Sequence, residues 1–248
     1  MKPAAATLAS GQRAPEKADA APRFKVSDGT IEALKWLGLA LMTLDHANKY
    51  LFGDKLPGAF ELGRLAMPLF GFVLSYNLAR PGALESGAHI RTMKRLALYG
   101  LVASPFFIAL GGLAFGWWPL NIMFMLLVAA ATLYLAEKGG SLWLLGATVV
   151  FLVGGAFVEF WWFALAFCIA AWWYSKTASK AALLVWLLAA ASLYVVNRNL
   201  WALASMPLIL AAPLVDVKMP RFRRVFYIYY PAHLAVLLIV ATLLGIHL

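Results

Sequence analysis

Charge is what this sequence has least of. Only 13% of its 248 residues are Asp, Glu, Lys or Arg, against about 25% in an ordinary soluble domain, while 63% are hydrophobic and the mean hydropathy is +0.80. A water-soluble globule is excluded. Acidic residues are the scarcer sign, 11 against 21 basic ones. The single cysteine, Cys168, excludes an intrachain disulfide and a cysteine-based metal site, and its apolar setting points to a buried, inert thiol. There is no glycine-rich phosphate loop, no HExxH pair and no nucleophile elbow, and no metal is expected.

What the chain has instead is apolar runs of about 20 residues, the length that spans a bilayer core as a helix. Backbone groups in lipid must be satisfied internally, which leaves helices or a closed barrel, and continuous rather than alternating runs select helices. The expected fold class is all-α, a polytopic membrane bundle of about nine transmembrane helices. The expected spans are 31–52, 60–79, 92–111, 119–136, 141–157, 160–175, 180–196, 200–215 and 225–247. Residues 1–27, rich in Ala, Pro and charge, lack a signal-peptide core and read as a disordered cytoplasmic tail before a membrane domain at 28–248. With the amino terminus inside, Lys and Arg divide 17 to 4 in favour of the inner side. This predicts N-terminus in and C-terminus out. It also explains the basic balance by membrane orientation and lipid contact, so nucleic acid is not an expected partner.

The stretch LALMTLDHANKY, Leu39 to Tyr50, interrupts an apolar run with an aspartate and a histidine. At 1.5 Å per residue, His46 falls roughly 22 Å up the first helix, past the midplane of a core about 30 Å thick. Arg64 falls roughly 6 Å inside the outer surface on the second, a matching depth. Asp45, His46, Arg64 and Asn121 are therefore expected in one polar layer, with Glu159 just above it. Ionisable groups at such depth face a bundle interior or a cavity. Neighbours on a helix point about 100° apart, so Asp45 is expected to meet Lys49 or Arg64 rather than His46. A neutral His46 facing a cavity suits a general base; a hydrogen-bonded contact between helices is the plainer alternative. His233, in FYIYYPAHL, falls roughly 12 Å from the inner face, about 10 Å shallower than His46. Direct contact between the two is not expected, and His233 reads as a wall of an inner pocket or part of a kinked packing helix. Arg91, Lys94, Arg95, Arg221, Arg223 and Arg224 cluster on the inner side. Most of that is the orientation signal, but arginine also suits phosphates.

These residues carry a resemblance. LKWLGLALMTLDHANKYLF at 34–52, LGRLAMPLFGFVLSYNLAR at 62–80, LNIMFMLLVAAATLYL at 120–135 and FYIYYPAHLAVL at 226–237 resemble the TraX family of bacterial membrane proteins. VEFWWFALAFCIA at 158–170 is a further partial match, with Trp161 in place of a small residue. That family is associated with N-terminal acetylation of conjugative pilin and is similar to transmembrane acyltransferases such as heparan-α-glucosaminide N-acetyltransferase. The resemblance implies an inner-membrane enzyme that takes acetyl-CoA from the cytoplasm and acetylates an amine, such as a pilin terminus, on the far side. It implies His46 as the catalytic group, with Asp45 and Arg64 fixing local charge. The basic cluster and His233 would serve acetyl-CoA, and Asn121 and Glu159 the acceptor. A glycan acceptor, or a transporter or flippase built on the same buried charges, remains the alternative.

Overall fold

The computed structural model describes residues 24–111, 113–222 and 224–246. Residues 1–23 of the expected tail, and Arg223, lie outside the described residues. The fold is all-α. Its helices are α1 (Asp28–Phe52), α2 (Pro57–Gly63), α3 (Ala66–Leu78), α4 (Ala88–Ala109), α5 (Ile122–Lys138) and α6 (Ser141–Phe157). There follow α7 (Trp161–Thr177), α8 (Lys180–Ser192), α9 (Tyr194–Asn197), α10 (Ser205–Ala211) and α11 (Val225–Leu243), with short 3-10 turns at Trp201–Ala204 and Ala212–Leu214. Each of the nine expected apolar segments appears as helix in its expected order, although some are broken. Three stretches among the described residues, Pro57–Leu78, Lys180–Asn197 and Val225–Leu243, are long and apolar enough to cross a membrane.

Local chemistry sets the boundaries. Ser27 caps α1 by accepting a hydrogen bond from the Thr30 amide at its hydroxyl, and Gly53 ends the helix at φ 58°, a left-handed turn open to glycine. The expected second span is two helices. Pro68 has no amide hydrogen to give the Arg64 carbonyl four residues back, so the helix breaks at Arg64–Leu65 and resumes as α3. The tail also ends earlier than expected. Phe24 and Val26 are buried, Phe24 packs on Phe72 and Tyr174, and the Tyr76 hydroxyl bonds both the amide (2.8 Å) and the carbonyl (3.1 Å) of Val26. Aromatic burial plus a satisfied backbone fixes residues 24–27 against α3.

Six helices close a ring in the order α1, α11, α4, α5, α7, α3. α6 lies outside it against α5 and α7, and α8 lies against α7. One side of the ring is solid. Trp186 of α8 is fully buried among Phe72, Phe167 and Tyr174, with ring centroids 5.4–5.7 Å apart. The other side, between α1, α3, α4, α5 and α11, is hollow. Leu142, Leu145, Leu152 and Val153 of α6, and Leu184 and Leu188 of α8, point outward and are exposed, as suits a bundle whose solvent is lipid.

The chain from Val215 to Phe222 decides where α11 begins. The Thr30 hydroxyl donates to the Val215 carbonyl and accepts from the Val217 amide, and Glu32 accepts from the Phe222 amide. This segment therefore runs along the first turns of α1. Trp36 then packs on Phe222 and on Phe226 at 5.2 Å, so α11 starts about two turns deeper than α1.

Replacing Tyr76 with Phe removes both bonds to Val26 and leaves a buried amide without its partner. The expected cost is about 1–3 kcal/mol, read as a lower melting temperature in detergent, with little change for Tyr194→Phe on the exposed surface.

Candidate active site

Two cavities occupy the hollow side. The first, of about 500 Å³, is lined by cations from four parts of the chain: Lys35 of α1, Arg80 after α3, Arg91 and Arg95 of α4, and Arg221 before α11. Among the described residues no carboxylate lines it. The carboxylates nearby hold some of these cations in place. Arg80 pairs with Asp28 at 2.5 Å, Arg221 lies 3.6 Å from the same residue, and Lys35 pairs with the buried Glu32. Arg95 sits over the ring of Tyr227. Of the expected basic cluster, Arg91, Arg95 and Arg221 come together. Lys94 and Arg224 are exposed and line neither cavity. Lys94 is one residue from Arg95 and so is turned about 100° away from it. Lys35, Arg80 and Asn77, not expected in such a site, do line it.

The second cavity, of about 230 Å³, holds Asp45, His46, Lys49, Arg64 and Glu159. Arg64 Nη2 donates to Asp45 Oδ2 at 2.5 Å, while its Nε donates to the Phe60 carbonyl. The break at Arg64–Leu65 gives the arginine this position. Asp45 thus meets Arg64 across the helix gap, and Lys49 is exposed and lies over the Tyr50 ring. Gly63 makes the close approach possible: a Cβ there would collide with the side chain of Asp45.

The contact between His46 and His233, not expected from depth, is made. His46 Nδ1 and His233 Nε2 are 2.7 Å apart, with the ring planes 9° from parallel. Depth counted from one common level separates the two rings, whereas the Val215–Phe222 segment starts α11 deeper. His233 therefore belongs to the histidine end of the bundle and does not line the cationic cavity. Partners assign the tautomers. His233 Nδ1 lies 3.1 Å from the Tyr229 carbonyl, which can only accept, so Nδ1 carries the hydrogen. In a neutral ring Nε2 then accepts, His46 Nδ1 donates to it, and His46 Nε2 is left with a free lone pair and no partner among the described residues. The Tyr229 hydroxyl bonds Thr43 of α1 at 2.8 Å, which ties the two helices together one turn below.

Asn121 does not join this layer. Its side-chain oxygen caps α5 by accepting from the Met123 amide, and its Nδ2 donates to the Gly100 carbonyl (3.1 Å) and Ser104 Oγ (3.2 Å). Buried and committed to α4 and α5, it lines neither cavity and has no donor left for a substrate. Glu159 does face the histidine cavity. It sits in the turn between α6 and α7, pinned by bonds of the Glu159 amide to the Leu120 carbonyl and of the Leu120 amide to the Phe157 carbonyl. Phe160 and Trp161 follow with φ of 60° and 49°, a left-handed pair that is costly for residues bearing a Cβ. Burial pushes the Glu159 carboxyl up to about 7, against the opposing pull of Lys49.

A sequence profile described as TraX protein matches residues 30–241. The chain belongs to the TraX family. It is similar to Protein TraX of Escherichia coli (strain K12), 39% identical over 112 residues, which cover 45% of this chain and 42% of that relative. The match therefore spans less than half the length of the curated relative. No solved structure matches. Apolar helices and family together make this a membrane protein.

Two outcomes test this geometry. Gly63→Ala, whose new methyl meets Asp45, is expected to cost about 1–3 kcal/mol. Gly58→Ala in the same helix meets nothing within 4 Å and is expected to be neutral or stabilising. Thermal melts of the two in detergent give the contrast. For Glu159 the folded state raises the pKa from 4.5 to about 7, so the native protein binds more protons than the unfolded chain between those values. Its contribution to stability then falls as pH rises through that window. Glu159→Gln removes the term, so the melting temperature of the variant should gain on the parent from pH 4.5 to 7 and hold a constant lead above; a lead that ignores pH contradicts the assignment.

Proposed function

We propose that this chain is a membrane-embedded acetyltransferase of the bacterial cytoplasmic membrane, crossing it nine times with its amino terminus inside and its carboxyl terminus outside. It moves an acetyl group from cytoplasmic acetyl-CoA to an amine at the outer side, a pilin terminus by family resemblance, with a glycan as the alternative acceptor. The observation that supports this reading best is the free Nε2 of His46 at a cavity that adjoins, end to end, a second cavity ringed by cations.

The residues present fit a thioester donor. Arg91, Arg95 and Arg221 would hold its phosphates at the inner mouth, with Arg80 and Lys35 adding positive charge. Acetyl-CoA supplies an activated acyl carbon and a thiol leaving group. His46 Nε2 takes a proton from the attacking amine as the N–C bond forms. The C–S bond breaks, and His46 returns the proton to the departing sulfur, giving the amide and free thiol. His233 positions the base: its Nε2 accepts from His46 Nδ1 and keeps the reactive lone pair on the far nitrogen. Arg64, held by Asp45, places a guanidinium beside the reaction where negative charge develops on the acyl oxygen.

Acetylation of an amine substrate by the purified protein in nanodiscs tests this. His46→Ala should lose on the order of 10²–10⁴-fold in rate. His233→Leu, which leaves the His46 ring without an acceptor, should lose much of the rate, and His233→Gln, whose side-chain oxygen can still accept, should recover part of it. Full activity in His46→Ala at normal protein levels removes it from the chemistry.

A further inference from the structure

The two cavities share four lining residues: Met42, Phe70, Ile122 and Tyr230. Each comes from a different helix, α1, α3, α5 and α11. On two of those helices, α1 and α3, the neighbours sort cleanly to either side. On α1, Leu39 lines only the cationic cavity and Asp45 and His46 only the other. On α3 the order reverses with the chain direction, Ala66 and Met67 before Phe70, and Val73 and Asn77 after it. On α11, Phe226 and Tyr227 lie below Tyr230 on the cationic side. The four side chains therefore stand at the junction of the two cavities, as its neck.

We infer that this neck is the acyl-length filter of the protein: it admits the arm of a short-chain acyl thioester and rejects longer chains. The inference rests on the acyltransfer reading above. The donor phosphates stay with the cations on one side. The acyl carbon must come within about 3–3.5 Å of the amine nitrogen on the other, where His46 lies one turn beyond Met42. The arm must therefore lie through the neck, and the acyl group must pass it first. Two of the four residues are aromatic and a third is β-branched, which makes a stiff aperture. Beyond it lies a cavity of about 230 Å³, already walled by Asp45, Arg64 and Phe60. An extra methylene pair has to be accommodated either in that space or in the neck itself.

The test has two arms. In the first, protein in nanodiscs is given acetyl-CoA or butyryl-CoA with a peptide bearing a free amino terminus, and release of free thiol is followed. The parent should prefer acetyl-CoA, and Phe70→Ala should shift the ratio on the order of tenfold toward butyryl-CoA. Ile122→Val, a milder trim that keeps the fold, should shift it the same way by less. In the second, Met67→Cys places a thiol in the histidine cavity alone, and anionic sulfonatoethyl methanethiosulfonate is added to vesicles of each sidedness. The native Cys168 is buried and free. With the neck intact, the introduced thiol should label from one side only; with Phe70→Ala it should label from both. Acetyl transfer by the parent with an unchanged acyl ratio in both trimmed variants overturns the filter, as does two-sided labelling with the neck intact. No transfer by any form, with the one-sided then two-sided labelling as expected, overturns the acyltransfer reading and leaves the neck standing as a barrier between the cavities.

Discussion

Two imidazole nitrogens from distant parts of the chain meet at 2.7 Å, and one hydrogen between them orders what surrounds it. A polar group inside an apolar bundle has no water to fall back on, so it must find its partner in the chain. His46 finds His233, and His233 finds the carbonyl one turn before it. Each link fixes the next, and the line ends in a lone pair on His46 Nε2 with no partner among the described residues. The rest of the architecture serves that contact. The Val215–Phe222 segment lies along α1, so α11 begins deep enough for its histidine to reach. The Tyr229–Thr43 bond holds the two helices at the same register a turn away. Because the bond joins α1 to α11, the site forms only when two segments 187 residues apart have docked.

The neighbouring ion pair follows the same logic with a charge in place of a dipole. Asp45 is acceptable at its depth because Arg64 meets it, and Arg64 can do so because Pro68 interrupts the helix where the arginine stands. Gly63 supplies the missing volume. Thus the short sequence Gly-Arg-Leu-Ala-Met-Pro carries three separate physical requirements: a gap, a counter-charge and a helix break. The Asp45–Arg64 pair and the histidine pair sit side by side without bonding each other, as expected of adjacent residues on one helix.

Much of this was legible beforehand. Apolar run length marked out the helical segments, and the matching depths of His46 and Arg64 put both near one cavity. What failed did so for identifiable reasons. Helix depth counted from a common level hides the His46–His233 bond; nothing in the apolar pattern reveals that a polar strap raises the start of α11. Depth alone places Asn121 in the polar layer, but Asn immediately before an apolar run is also a capping signal, and capping is what its side chain does. Sequence proximity groups the basic residues, whereas helix face decides which of them meet. Spacing puts Arg91 and Arg95, four apart, on one face and turns Lys94 about 100° away from Arg95. The same spacing on α1, with Lys35, Leu39, Met42 and His46 three or four residues apart, marks one stripe running from the cationic end to the histidine end.

The division of the ring into a solid half and a hollow half has a consequence for motion. Around Trp186, packed aromatic rings leave no room, and local opening there requires disrupting most of the native core. Between α1, α4 and α11 the helices enclose space, so backbone amides there are guarded by fewer apolar neighbours. Amide hydrogen exchange should therefore be graded across the molecule rather than uniform. α7 and α8, with the Phe72 face of α3 held against them, form the slow-exchanging frame, and the cavity walls on α1, α4 and α11 are free to breathe against it without the bundle coming apart.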